Sequence, residues 1–261
     1  MRKIVFILLF AQSSILFGQG EINDQEKIFY RNERTFGLLL NSNGFGSNFR
    51  YAKRIDAFQK TLYEVELNYV KHPKEQKATI ESTNRNIIYG KLNSVFTLKG
   101  AIGYQKELYR KRDVGGISIR YFTSAGPSLA LLKPVYYEYQ DPTTGDYFYD
   151  KFQEHNYNIL GKAPFSMGFN ELSVSPGLYG KFGFTFEYSR MDEIFHALEL
   201  GVAFDSYIKK LKIMDVPVEK VLFVLPDDHF ILTLFISYRF GKVIDTKFSP
   251  KRNAVDDIIL N

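Results

Sequence analysis

The chain has 261 residues, enough for one domain, and 34 basic against 29 acidic side chains leave a net charge of only +5. An excess that mild gives no footing to a nucleic-acid partner. Cysteine is absent, which excludes a disulfide, a thiolate metal site and a lipidated amino-terminal cysteine, so any anchoring must come from the fold itself.

Arg2 and Lys3 precede the apolar run 4–17, and Gly18, Gln19 and Gly20 follow with small or polar groups. That pattern predicts a secretory signal over 1–20, removed on export. Residues 21–32 are polar and read as a short periplasmic lead, with the folded body expected over 33–241. Beyond the signal no apolar run reaches the roughly 18 residues of a membrane helix.

From there the dominant pattern is alternation, which places successive side chains on opposite faces of a strand. The first strand is expected over 35–41, with Phe36, Leu38 and Leu40 outward. Asn43, Gly44 and Gly46 are expected to supply left-handed turn conformations. Residues 47–54 return, Phe49 and Tyr51 outward against Asn48 and Arg50. The run 62–70 sets Tyr63, Val65, Leu67 and Tyr69 against Glu64, Glu66 and Asn68.

Residues 72–92 are polar and read as a long loop, with Pro73 barring ladder pairing near its start. A fourth strand, 95–105, sets Phe96, Leu98, Ile102 and Tyr104 against Thr97, Lys99 and Gln105. The fifth, from Ile117 to Leu131, turns Ser118, Arg120, Ser124, Ser128 and Ala130 inward and outreaches the roughly 9 to 11 residues a membrane strand needs. Residues 133–170 form the largest loop. Within it 135–139 and 147–152 flank Asp141, Pro142 and Gly145, predicting a hairpin that stands above the body.

Residues 178–188 set Phe182, Phe184, Phe186 and Tyr188 against Lys181, Thr185 and Glu187. In 196–205, His196, Leu198, Leu200, Val202 and Phe204 oppose Glu199, Gly201, Ala203 and Asp205. After a further loop over 206–228 the last strand is the plainest: Phe230, Leu232, Leu234, Ile236, Tyr238 and Phe240 share one face, Thr233, Ser237 and Arg239 the other.

Strands with one wholly apolar face, long loops alternating with short turns, and aromatics at 16% predict an all-β fold: a transmembrane, antiparallel, up-and-down barrel in the outer membrane. About eight strands are expected, or ten if the 135–152 hairpin joins the wall. The inward faces gather Glu64, Glu66, Glu187, Glu199 and Asp205 with Arg50, Lys99, Arg120, Lys181 and Arg239. An eight-stranded barrel is just wide enough for its side chains to fill it, so a buried ion-pair network is expected there. Phe122, Phe195 and Phe235 also fall inward by parity.

On the stretches 124–134 (SAGPSLALLKP), 176–187 and 230–242 (FILTLFISYRFGK), the chain resembles small outer-membrane β-barrel proteins of the Bacteroidota. The resemblance implies a terminal-strand assembly signal, here Tyr238 and Phe240, read by the barrel assembly machinery. It also implies a role as an accessory subunit or surface binder. Residues 242–261 extend past that signal and are expected to form a periplasmic tail.

For function, the leading expectation is a non-enzymatic barrel in contact with outer-membrane lipid, serving as an accessory or binding subunit of a membrane protein complex, with no cofactor. The aromatic hairpin supplies the candidate contact residues Tyr136, Tyr137, Tyr139, Tyr147, Phe148 and Tyr149, since aromatics give contact area at low entropy cost; the alternative is that they pack on one another to hold the loop up. A small diffusion channel or ligand carrier is a second reading. A rim hydrolase, with His229 as base beside Asp227 and Asp228, is a third. Metal binding is not expected, because Asp141, Asp146 and Asp150 lack the full calcium-loop pattern.

Overall fold

Glu64, Glu66 and Asn68 alternate with Tyr63, Val65 and Leu67, so when the polar set points into the body the apolar set can only point out. A computed structural model shows that consequence for every wall strand. It describes residues 31–73, 75–81, 83–111, 116–152, 158–189, 194–215 and 229–245. The expected signal, most of the lead and residues 246–261 of the expected tail lie outside them.

Eight strands make the wall: β1 (Arg31–Asn41), β2 (Gly44–Arg54), β3 (Gln59–Val70), β6 (Asn93–Tyr109), β7 (Ser118–Pro134), β11 (Ser173–Glu187), β12 (Ile194–Tyr207) and β13 (Phe230–Asp245). Each pairs antiparallel with its neighbours, and β13 returns to β1 with Phe36 opposite Phe240 and Leu40 opposite Ile236, so the sheet closes without an edge. Six of the wall strands run past the expected bounds at one end or both, while β7 begins one residue later and β11 ends one residue earlier than expected. In particular β1 takes in Glu33, and β13 continues beyond Phe240 to Asp245.

At one end, the turn end, the connections are short. At the other, the loop end, they are long, except for the two-residue turn at Ser42 and Asn43. There only Gly44 takes a positive φ, 148°, where a Cβ would lie 1.9 Å from the Tyr69 carbonyl oxygen. Asn43 and Gly46 do not adopt the left-handed conformation expected of them. Gly46 is instead a strand residue whose missing side chain makes room for the Asn68 amide.

A cap stands over the loop end. The expected hairpin is present as β8 (Tyr136–Gln140) and β9 (Tyr147–Lys151), turned by Gly145 at φ 78°, and a third strand, β10 (Asn158–Lys162), lies on the other side of β8. The 72–92 segment, read as a loop, holds a second hairpin, β4 (Lys77–Ile80) and β5 (Arg85–Ile88). Its strands have four residues each, too few for alternation to register. The 135–152 hairpin forms its own sheet with β10 and stays out of the wall, leaving the barrel at eight strands.

Candidate functional site

Eight of the charges that the sequence places inside the barrel form one connected set. Glu64 on β3 accepts from Arg50 Nε at 2.6 Å, Asn48 Nδ2 at 2.8 Å and Lys181 Nζ at 3.0 Å. Lys181 also reaches Glu66 at 2.7 Å, and Lys99 joins Glu66, at 3.8 Å, to Asp205, at 2.8 Å. On the other side Arg50 donates to Glu199 at 2.6 Å. Glu199 also accepts from Arg50 Nη2 at 3.3 Å, Arg239 Nη2 at 3.0 Å and the Thr185 hydroxyl at 2.9 Å. Four carboxylates and four cations therefore run in one neutral line down the axis.

Nearer the turn end a second cluster sets Arg120 and Lys60 against Glu33, with Glu187 on Arg120. All ten charged residues named from parity stand in these two groups. Glu33 and Lys60 were missed, because one lies next to the expected lead and the other between the strands expected over 47–54 and 62–70. Their signal was position alone: both sit on the inward parity once the strands are extended.

Aromatic rings fill the gaps between charges. Phe122, Phe195 and Phe235 are fully buried. The Arg50 guanidinium lies 4.5 Å from the Phe122 ring centre and Lys181 Nζ 4.5 Å from that of Phe235. Those rings fit because Gly183 and Gly201 face each other on β11 and β12 without side chains. A Cβ at Gly183 would stand 3.0 Å from Phe122, and one at Gly201 2.9 Å from Phe235.

Above the charges the mouth is stoppered. Leu211 and Ile213, from the segment after β12, pack on Val70, Val95, Leu132, Tyr207 and Ile231. The backbone N–H of Leu92 donates to Ile213 O at 2.9 Å, tying the stopper to the rim. Beneath it the space between Asn41, Glu66, Lys99 and Asp205 amounts to about 10 Å³, room for one water at most.

The outer wall has the opposite chemistry. Leu38, Leu40, Val65, Leu67, Ile102, Leu198, Leu200 and Ile236 are all exposed. Toward the turn end they are bordered by paired rings, Tyr51 with Tyr63 and Tyr104 with Tyr121. His196 stacks between Tyr188 and Tyr238 there and shares a 2.9 Å hydrogen bond with the Tyr238 hydroxyl. Toward the loop end the border is Phe45, Tyr69 and Phe96, with Phe204 against Phe230. Tyr238 and Phe240 belong to this outer surface.

In the cap the six aromatic candidates divide. Tyr137 and Tyr139 are buried at 1% and 2% exposure, in a cluster with Ile87 and Val135, so they hold the cap together and are corrected out of any contact surface. The Tyr137 hydroxyl donates to Ile88 O at 2.6 Å and accepts from the Lys91 N–H at 3.1 Å. Phe148 stacks on Tyr139 and is half-covered. Tyr136 donates to Glu171 at 2.7 Å, and Tyr147 and Tyr149 face outward. His229 meets the Tyr207 carbonyl oxygen at 3.1 Å through Nδ1; Asp227 and Asp228 lie outside the described residues.

Fold and interior together define a class: a closed eight-stranded antiparallel barrel, apolar outside and packed with paired charges inside. Two solved structures are similar to the chain. One is Ail, the attachment invasion locus protein of Yersinia pestis, in complex with the heparin analogue sucrose octasulfate: 7% identity, TM-score 0.40, covering 83% of this chain and 99% of that one. The other is Neisserial surface protein A, NspA, at 8% identity, TM-score 0.37, and 83% and 96% coverage. No protein-family model matches the chain, and no curated protein does.

Proposed function

We propose that the chain is a non-enzymatic outer-membrane barrel with a shut lumen, which acts through its external cap as a binding or accessory subunit. The observation that carries this is the inversion of the two faces. An aliphatic band between two aromatic borders suits lipid, and a neutral ion-pair line under an apolar stopper suits a plug. The space of about 10 Å³ beneath the stopper, room for one water at most, speaks against the channel reading.

Export through the 1–20 signal, assembly by machinery that reads Tyr238 and Phe240, and a periplasmic tail beyond β13 belong to the same reading. So does the expected kinship with Bacteroidota barrels. The loop end then faces outside, and the contact surface narrows to Tyr147 and Tyr149 on β9, with Tyr136 beside them.

The test is co-purification from native membranes in mild detergent, with and without Tyr147→Ser/Tyr149→Ser. Both side chains are exposed, so the barrel stays inserted. Loss of a co-purifying protein in the double variant supports the role, and an unchanged set of partners contradicts it.

A further inference from the structure

Between the β4–β5 hairpin and the β8–β10 side of the cap lies a partly open space of about 280 Å³. Its walls are tied together at two places. At one, Thr83 Oγ1 donates to Leu160 O at 2.7 Å and Arg85 pairs with Glu138 at 2.7 Å, the arginine passing over Gly161, where a Cβ would lie 3.1 Å from it. At the other, the Tyr137 hydroxyl joins β8 to Ile88 and Lys91. The space is therefore part of the fold and close in size to small-molecule pockets, which start at roughly 300 Å³.

Its lining is apolar below and cationic above. Ile87, Ile88, Val135 and Tyr137 form the floor, with the phenol hydroxyl already used. Lys91 lines one side but is committed to Glu75 at 2.8 Å and to the Tyr69 hydroxyl at 2.9 Å. Asn86 uses its carbonyl oxygen to accept from Thr79, which leaves its amide N–H groups. Lys77 comes from β4 and Lys162 from β10, and neither has a carboxylate partner among the described residues. No carboxylate lines the space, and the two charged side chains there without a carboxylate partner among the described residues are both cations.

We infer that this cavity binds a small amphiphilic anion, an aryl or medium-chain alkyl carboxylate or sulfonate. Its acidic head lies between Lys77 and Lys162, and its hydrocarbon lies on Ile87, Ile88 and Val135. Unpaired ammonium groups select the charge, and the apolar floor rejects fully hydrated ions such as phosphate, which would strand their solvation on it. The site depends only on the cap geometry, not on a protein partner at Tyr147 and Tyr149.

The experiment is calorimetric titration of 2-naphthalenesulfonate into the full chain in lipid nanodiscs, with empty nanodiscs subtracted. Saturable one-site binding is expected, weakened at least tenfold by Lys77→Ala/Lys162→Ala and abolished by Lys77→Glu/Lys162→Glu. Both lysines are exposed, so the substitutions leave the fold intact, which heat-modifiable gel migration verifies. Tyr147→Ser/Tyr149→Ser should bind the probe normally, which separates this site from the partner surface. Absence of saturable binding at millimolar probe, or equal affinity in both lysine variants, overturns the inference.

Discussion

Arg50 and Glu199 stand 149 positions apart in the chain and meet at 2.6 Å inside the barrel. Glu199 also receives Thr185 and Arg239, so one carboxylate joins β2, β11, β12 and β13. Removing it leaves two buried guanidiniums facing each other without their shared anion. Glu199→Ala should therefore lower stability by about 3–5 kcal/mol, the usual result of breaking a buried pair. Urea-dependent folding into lipid vesicles measures it, and a loss under about 1 kcal/mol would show that the line is not a structural unit.

The glycine pair makes a second expectation. A Cβ at Gly201 would sit 2.2 Å from the Phe182 carbonyl oxygen as well as against Phe235, so Gly201→Ala should cost about 1–3 kcal/mol through overpacking. Phe122→Ala works in the opposite direction, opening a void, and should cost about 3–5 kcal/mol. The same vesicle titration reads both, and a neutral Gly201→Ala would mean that the facing strand gives way.

Planar bilayers holding the unsubstituted protein should stay electrically silent. The block is double, apolar at Leu211 and Ile213 and ionic below, so deleting 209–214 should not open it alone. Discrete conductance steps from the unsubstituted chain would remove the plug reading.

On the cap, Lys151 and the Tyr136 hydroxyl both donate to Glu171 and hold its carboxyl below the usual carboxylate range. A depressed folded pKa means that the tie is complete above the unfolded pKa and is lost as pH falls through the folded one. Lys151→Met should move the Glu171 titration upward, read by carboxyl-carbon NMR. An unmoved midpoint would show that the 2.5 Å pair does not persist in solution.

Alternation made the wall legible, because its two faces differ so sharply in chemistry that a single residue such as Glu64 or Ile236 assigns the parity of its strand. The interior charges followed from parity without any knowledge of partners. Cap and stopper were less readable. Four-residue strands such as KATI and RNII carry too few positions to show a period, and Leu211 and Ile213 alternate in a stretch whose lysines made it look like loop. Tyr137 and Tyr139 differ from Tyr147 and Tyr149 only in what lies against them, and that is fixed by β5 packing over the sheet from some fifty positions away.

The absence of cysteine makes the central claim directly measurable, since a single introduced cysteine carries a single nitroxide label. With Ile236→Cys and Tyr149→Cys labelled in turn in lipid vesicles, collision rates with oxygen and with a water-soluble nickel chelate report the solvent at each position. Hydrocarbon at the outer wall predicts high oxygen and low nickel access at 236 and the reverse at 149. Equal nickel access at the two positions would contradict it.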